Sequence, residues 1–140
     1  MNTKYNKKNS TLYNKLLYQN KVKLKPFITY DNALLSRDNI LKNNRYKSGV
    51  YRWINRIRGE SYVGSSKNLR NRFLKYYNKN DLNKVVTNGN SRICDALLIY
   101  GYINFSLEIL EYCDINFRIE REQYYIDLLK PEYNIRAAKV

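Results

Sequence analysis

Two runs of β-forming residues lie close together near the middle of the chain. The first covers residues 50–54 (Val-Tyr-Arg-Trp-Ile) and the second covers residues 61–64 (Ser-Tyr-Val-Gly), with Arg58, Gly59 and Glu60 between them. Aromatic and β-branched residues on either side of a short segment with glycine are typical of a β-hairpin. The pattern therefore predicts two antiparallel strands joined by a tight turn.

Helical spacing follows the hairpin. From about Asn68 to Tyr77 the apolar residues recur every four positions, which predicts one helix along that stretch. A second apolar stripe predicts a helix from about Ser91 to Tyr100, with Gly101 as its C-terminal cap. The polar residues between the two stripes, 78–90, predict a loop.

The last third of the chain predicts one strand and one helix. Residues 105–109 alternate between apolar and polar side chains, which is the period of a strand. Asp114 is a suitable cap for a helix that ends near Leu129, since Pro131 stops it. The order ββααβα predicts an α/β fold, an α+β sandwich in which helices flank a small three-stranded antiparallel sheet.

Residues 1–48 differ in composition from the rest of the chain. They are rich in Asn and Lys, with short apolar clusters around Leu12 and Leu16 and over residues 33–41. The second cluster follows Asp31 and predicts a helix ending near Asn43. Two interpretations are open: a basic N-terminal arm with one or two short helices, or a disordered leader without a function.

The charge of the chain favours a polyanionic partner. There are 26 Lys and Arg residues against 12 Asp and Glu and no His, so the 140 residues carry a net charge of +14. A field of this size attracts DNA, RNA or an anionic membrane surface. No apolar run reaches the roughly 20 residues of a membrane-spanning helix, and the N-terminus lacks the apolar stretch of a signal peptide. Nucleic acid is the expected partner, and no membrane is expected.

The two cysteines, Cys94 and Cys113, are expected to be free thiols. In a chain without His they do not supply the ligands of a usual zinc site. Free Cys packs as a small apolar residue. We therefore expect an intracellular or organellar protein without a structural zinc ion.

One carboxylate occupies an unusual position on the predicted last helix. Glu122 follows Ile119 by three positions and precedes Ile126 by four, so it interrupts the apolar stripe that we expect to face the core. An unpaired charge buried there would cost roughly several kcal/mol. Two compensations are open: an ion pair with Arg118, one turn earlier, or a bound metal ion.

A second candidate group combines the first helix with the hairpin. Arg72 and Tyr76 are four positions apart, so they lie side by side on the helix. A guanidinium offers planar, paired donors to phosphate oxygens. Tyr51 and Tyr62 lie on the neighbouring strands, and Gly64 leaves the sheet surface open. For each residue the alternative is an ordinary role, as a solvated arginine or a packed tyrosine.

The order and spacing of these residues resemble the GIY-YIG endonuclease family. Residues 49–51 (Gly-Val-Tyr) and 62–64 (Tyr-Val-Gly) are similar to its paired signatures, with Val in place of Ile. Arg72 follows Tyr62 by ten positions, as the catalytic arginine of that family does. Tyr76 matches a position that the family fills with His or Tyr.

The downstream residues extend the resemblance to about residues 49–135 and imply a nuclease domain at 49–140. Glu122 matches the metal-binding glutamate of the family, and Asn134 matches the asparagine that closes its site. Asn90 stands where some relatives carry a histidine. The phrases around residues 104–111 and 120–125 are most similar to intron-encoded homing endonucleases of fungal mitochondria, which implies a location in the mitochondrial matrix.

The resemblance implies metal-assisted hydrolysis of phosphodiester bonds. One divalent cation, Mg²⁺ or another such as Mn²⁺, would bind Glu122. Arg72 would stabilise the charge that gathers on the phosphate oxygens. Either Tyr62 or Tyr51 would handle the proton of the attacking water once its pKa is lowered, and the sequence leaves the choice between them open.

Two other functions stay open at the level of sequence. The chain would also serve as a nucleic-acid-binding or ribosome-associated protein, or as a maturase that helps intron RNA to fold. The net charge of +14 supports all three functions equally. The complete set of six family residues favours an enzyme, with DNA as the expected substrate and RNA as the alternative.

Overall fold

A four-stranded antiparallel sheet organises the computed structural model, which describes residues 24–89 and 91–134. The strands are β1 (Ile28–Tyr30), β2 (Gly49–Asn55), β3 (Ser61–Ser66) and β4 (Phe105–Tyr112). The helices are α1 (Arg37–Asn43), α2 (Leu69–Tyr77), α3 (Lys79–Thr87), α4 (Arg92–Tyr100) and α5 (Arg118–Leu129). None of these helices is long and apolar enough to cross a bilayer. The predicted α+β class is confirmed.

The strand order β1-β4-β2-β3 places β2 beside both of its partners and leaves β3 at one edge of the sheet. β2 and β3 form the predicted hairpin, in which Tyr51 lies opposite Gly64. On its other side β2 pairs with β4, and Tyr51 is the partner of Ile109 there. The two motif-bearing strands are therefore adjacent, one inside the sheet and one at its edge.

The expected three-stranded sheet gains a fourth strand from the segment that we assigned to the N-terminal arm. β1 pairs with β4, and Ala33 and Ile40 just beyond it are fully buried. The Tyr77 hydroxyl also donates a hydrogen bond of 2.6 Å to the carbonyl of Ala33. Residues 24–48 thus share the core of the domain, and α1 ends at Asn43 as predicted. The earlier cluster around Leu12 and Leu16 lies outside the described residues.

The predicted polar loop over residues 78–90 is wrong, because α3 occupies most of it. The side chain of Asn78 accepts hydrogen bonds from the backbone N–H groups of Asn80 and Asp81, and so caps the helix. Leu82 is the buried residue of α3. Leu82, Val85 and Val86 follow helical spacing, but they lie among six polar residues in a nine-residue helix, and the polar composition of the segment outweighed this short pattern.

Helices cover both faces of the sheet. On one face an aromatic core that includes Tyr51, Trp53 and Phe73 packs beneath α2 and α4. On the other face Val50, Val63 and Leu110 pack against Tyr125 and Leu129 of α5. Alternate residues of each strand serve the two cores. As a result α2 and α5 lie on opposite faces, and both flank the edge strand β3.

We predict that α1 contributes directly to the stability of the domain. Ile40→Ala should lower the free energy of unfolding by about 2–5 kcal/mol, because it opens a cavity in a fully buried site. Leu35→Ala is the matched control: Leu35 is 80% exposed, so its loss should change stability by less than about 0.5 kcal/mol. Urea unfolding of the full chain measures both. Equal, small effects would mean that residues 24–48 are a separate arm.

Candidate active site

Tyr51 is the most deeply packed residue of the site. It is fully buried on β2, and its ring makes edge contacts with Phe73 and Tyr76 of α2 at centroid distances of 5.2 and 5.9 Å. Its hydroxyl shares a hydrogen bond of 2.9 Å with the hydroxyl of Tyr76. Such contacts stabilise beyond the area that they bury. They hold α2 against the hairpin at a fixed distance.

The absence of a side chain at Gly64 leaves room for the ring of Tyr51. A methyl group at Gly64 would lie 2.5 Å from the Oη atom of Tyr51 and 2.6 Å from its Cζ atom. It would also lie 2.9 Å from the ring of Tyr62. The absence of a side chain on β3 is therefore a packing requirement of the tyrosine opposite it.

Arg72 lies in the first turns of α2, whose N-terminus is capped by the side chain of Asn68. Arg72 is exposed as a residue, and no carboxylate in the described ranges forms an ion pair with it. Its charge acts on both Tyr51 and Tyr62, whose pKa values it lowers against a larger effect of burial. Arg72 is thus an unpaired cation next to the two motif tyrosines.

The tyrosines of the site are neutral hydrogen-bonding groups at neutral pH. Burial raises the pKa of Tyr51, Tyr62 and Tyr76 above the usual value for phenols, and the charge of Arg72 does not reverse this for Tyr51 or Tyr62. The arginine therefore does not supply the activation that we expected for a phenol. Tyr51 is fully buried whereas Tyr62 is partly exposed, so of these two only Tyr62 is accessible to a water molecule.

Glu122 does not lie on a buried apolar stripe as expected. Ile119, which was predicted to share its stripe, is 58% exposed, and the buried residues of α5 are Tyr125 and Leu129. Glu122 itself is partly exposed. The alternative ion pair with Arg118 is not formed in the described structure, nor does any other described cation pair with Glu122. After burial, its charge is the largest cause of the raised pKa of Tyr62.

A contact between β4 and α5 sets the rotation of α5 about its axis. Glu111 of β4 accepts two hydrogen bonds from the guanidinium of Arg121, at 2.8 and 2.9 Å, and a third of 2.8 Å from the hydroxyl of Tyr125. A two-point guanidinium–carboxylate pair fixes orientation as well as distance. It leaves Glu122, the next residue of the helix, beside β3. The sequence carried no signal for this contact, because its partners lie on separate elements.

Asn134 completes the edge strand. Its side-chain oxygen accepts a hydrogen bond of 2.9 Å from the N–H of Val63, and its amide donates one of 2.8 Å to the carbonyl of Val63. The carboxylate of Glu132 accepts from the N–H of Ser61 in the same way, at 3.0 Å. The turn Glu132–Asn134 thus pairs with β3 through side chains, and Asn134 positions the strand on which Tyr62 lies.

The side chains of the site suit a metal ion only if a substrate supplies some of the ligands. No group of three Asp, Glu, His or Cys in residues 24–89 and 91–134 is placed to hold a cation. Among the six predicted site residues in the described structure, only Glu122 has a carboxylate, and no described cation pairs with it. Mg²⁺ retains several of its waters and is commonly bound by one or two carboxylates together with substrate phosphates. A site with a single glutamate and an unpaired arginine fits that mode of binding.

The predicted residues therefore converge on the edge strand from both faces of the sheet. Tyr51, Tyr76 and Arg72 lie on the side of α2, Glu122 belongs to α5, and the charges of Arg72 and Glu122 both act on the pKa of Tyr62. Asn134 is the sixth predicted residue, and it contacts the β3 backbone. The arrangement is that of a small polar site with a cation and a carboxylate, which suits a phosphate group.

This fold and site define a nuclease-type catalytic domain. The chain belongs to the GIY-YIG family, whose catalytic domain matches residues 47–134. A point mutant of the catalytic domain of intron endonuclease I-TevI is similar in structure, with a TM-score of 0.52 and 28% sequence identity over 66% of this chain and 97% of that one. A second structure, of the catalytic domain of homing endonuclease I-TevI, has a TM-score of 0.48 and 26% identity over 63% and 94%.

We predict that Gly64→Ala disturbs the site through Tyr51. The added methyl group displaces the buried ring, which should cost about 1–3 kcal/mol of stability and lower nuclease activity as α2 shifts. Ser65→Ala, at the next position of β3, is the control: its buried hydroxyl has no partner among the described residues, so stability should stay constant or rise slightly. Urea unfolding and a plasmid-nicking assay measure the effects. A fully stable, fully active Gly64→Ala protein would contradict the packing requirement.

Proposed function

We propose that the protein is a divalent-metal-dependent DNA endonuclease of the homing type, which hydrolyses phosphodiester bonds. The observation that carries the proposal is the environment of Tyr62. Its phenol lies within the electrostatic reach of a cation, Arg72, and a carboxylate, Glu122, which come from helices on opposite faces of the sheet. Neither charge is neutralised by another described residue. A cation and a carboxylate that form no ion pairs of their own are suited to bind a phosphate and its metal counter-ion.

Arg72 stabilises the transition state in this proposal. Charge develops on the non-bridging oxygens of the phosphate as water attacks, and a cation that is already in place lowers the energy of that state without reorganisation. The packing of Tyr51, Phe73 and Tyr76 holds the helix that carries Arg72. Arg72 is exposed as a residue and therefore accessible to the substrate.

Tyr62 orients the attacking water. With its pKa raised by burial, the phenol is protonated in the free protein and serves as a hydrogen-bonding group. Removal of the water proton then requires that the pKa of Tyr62 falls, or that the proton passes to another acceptor, once substrate is bound. Tyr51 cannot replace it, because its hydroxyl is buried against Tyr76.

Glu122 would hold the divalent cation, Mg²⁺ or Mn²⁺. When bound, the cation would supply positive charge next to the leaving oxygen and polarise the phosphate. The presence of this carboxylate also argues against a role in binding alone. A negative charge at the centre of a phosphate-binding surface weakens the binding of a polyanion unless a cation covers it.

The choice of DNA and of a homing role depends on the relatives. The similar solved structure is named as part of an intron endonuclease, with 28% sequence identity to this chain. The net charge of +14 favours a nucleic-acid substrate. A location in the mitochondrial matrix stays a prediction from the sequence resemblance.

Glu122→Gln should abolish cleavage while it preserves DNA binding. The amide keeps the size of the side chain but does not hold a divalent cation, so we expect a loss of roughly 10³ or more in single-turnover rate. Affinity for DNA without metal should be equal or slightly higher, since a negative charge is removed. The control is Glu120→Gln, an exposed carboxylate on the first turn of the same helix. Normal Mg²⁺-dependent cleavage by Glu122→Gln would disprove the metal site.

Arg72→Ala should lower the cleavage rate by roughly 10²–10³, as expected for the loss of one preorganised donor. Lys should restore only part of the rate, because it lacks the planar fork of donors. Arg70→Ala removes one positive charge from the same helix and serves as the control. Single-turnover kinetics at saturating protein separates the chemical step from binding. If Arg72→Ala weakens binding without slowing that step, Arg72 belongs to the general basic surface.

A further inference from the structure

A groove next to the proposed catalytic centre concentrates positive charge. It has a volume of about 300 Å³ and lies between the end of β3, the first turns of α2 and the start of α5. Four of its seven lining residues are cations, namely Lys67, Arg72, Lys75 and Arg118, and the other three are Ser and Asn. We call it the basic groove. No carboxylate lines it, so its charges have no internal counter-ion.

The cations of the basic groove are unpaired. In the described ranges the ion pairs involve Arg37, Arg52, Arg58 and Arg121, and none of these lines the groove. Like charges held close together destabilise each other, so their placement in one concave site without a carboxylate is costly to the folded protein alone. An anionic ligand would reverse that cost.

Within the groove, Arg118 has a hydrogen-bond donor that no described residue satisfies. Its Nε atom is buried and has no hydrogen-bond partner among the described residues. A buried donor without a partner costs roughly 1–3 kcal/mol, which makes such groups rare unless a ligand satisfies them. Arg121, one turn later on the same helix, shows the contrast, since its guanidinium is fully engaged by Glu111. Arg118 is therefore the available arginine of this turn.

Arg72 links the groove to the catalytic centre. It acts electrostatically on Tyr51 and Tyr62 and also lines the groove, with Lys75 three positions further along α2. Side chains at this spacing lie on the same face of the helix. A strand with one phosphate at Arg72 can thus place the next one in the groove.

We propose that the basic groove binds a second backbone phosphate of the DNA strand, adjacent to the phosphate that is cleaved, with Arg118 as its main ligand. The inference rests on the proposed function, because cleavage defines which phosphate is adjacent. Arg118 positions the strand and takes no part in the chemistry. Phosphate contacts of this kind set register without reading bases.

The first test measures binding without cleavage. The full chain with Glu122→Gln is titrated against a short DNA duplex in the absence of divalent metal, over a range of salt concentrations. Arg118→Ala should lower affinity roughly 10- to 100-fold, as for one hydrogen bond to a charged group. It should also reduce the slope of log K against log salt by about 0.9. Lys84→Ala, an exposed charge on α3, is the control and should lower affinity less than about threefold.

The second test changes the DNA and begins with the wild-type protein. Duplexes that carry a single uncharged methylphosphonate at successive positions around the cleaved bond are offered to the wild-type chain with Mg²⁺. One position adjacent to that bond should slow cleavage under subsaturating conditions, and Arg118→Ala should be insensitive to the same replacement. Arg118→Lys, which keeps the charge, should retain part of the affinity. The wild-type and Arg118→Lys results stand even if Arg118→Ala folds poorly.

The outcomes separate the two proposals. If Arg118→Ala and Lys84→Ala have the same affinity and salt slope, the phosphate subsite is wrong, while cleavage by the wild-type chain still supports the nuclease. If the wild-type chain binds DNA but never cleaves it, the proposed function is wrong. The statement that the bound phosphate lies next to a cleaved bond is then wrong as well. The Arg118 comparison then still decides whether the groove holds a phosphate.

Discussion

The packing of Tyr51 between the hairpin and α2 is the constraint on which the rest of the site depends. Its ring lies across the neighbouring strand at Gly64 and against Phe73, and its hydroxyl meets that of Tyr76. A shift of this ring would shift α2, and with it the guanidinium of Arg72. The glycine of one signature and the tyrosine of the other thus form a single structural unit, which explains why the two signatures occur together.

The edge of the sheet is where the two faces contribute to one site. β3 is flanked by α2 on one face and α5 on the other, so side chains from both helices reach it around the edge. An edge strand normally exposes unpaired backbone groups. Here the side chains of Asn134 and Glu132 bond to the backbone of Val63 and Ser61. The strand is thereby protected and held in place without a further strand covering it.

The sequence predicted those elements that bury an apolar stripe of their own, namely the hairpin, α2, α4, β4 and α5. It did not predict β1, which has only three residues, or α3, which depends on a cap and one buried leucine. Motif spacing identified the candidate site residues as a set. The environment of Glu122 could not be predicted, because the rotation of α5 depends on the contact between Glu111 and Arg121, on different elements. Arg118 likewise was considered only as an ion-pair partner.

The paired hydroxyls of Tyr51 and Tyr76 have a consequence for how such domains can evolve. The rings provide the packing, while the hydroxyls share a hydrogen bond of 2.9 Å. Loss of one hydroxyl takes this partner from a buried polar group, but loss of both leaves two phenylalanine rings of nearly the same shape, which is close to neutral for stability. A lineage that no longer needs these polar groups can therefore discard them together and keep the fold. Loss of the two hydroxyls in separate steps would instead pass through a less stable intermediate sequence.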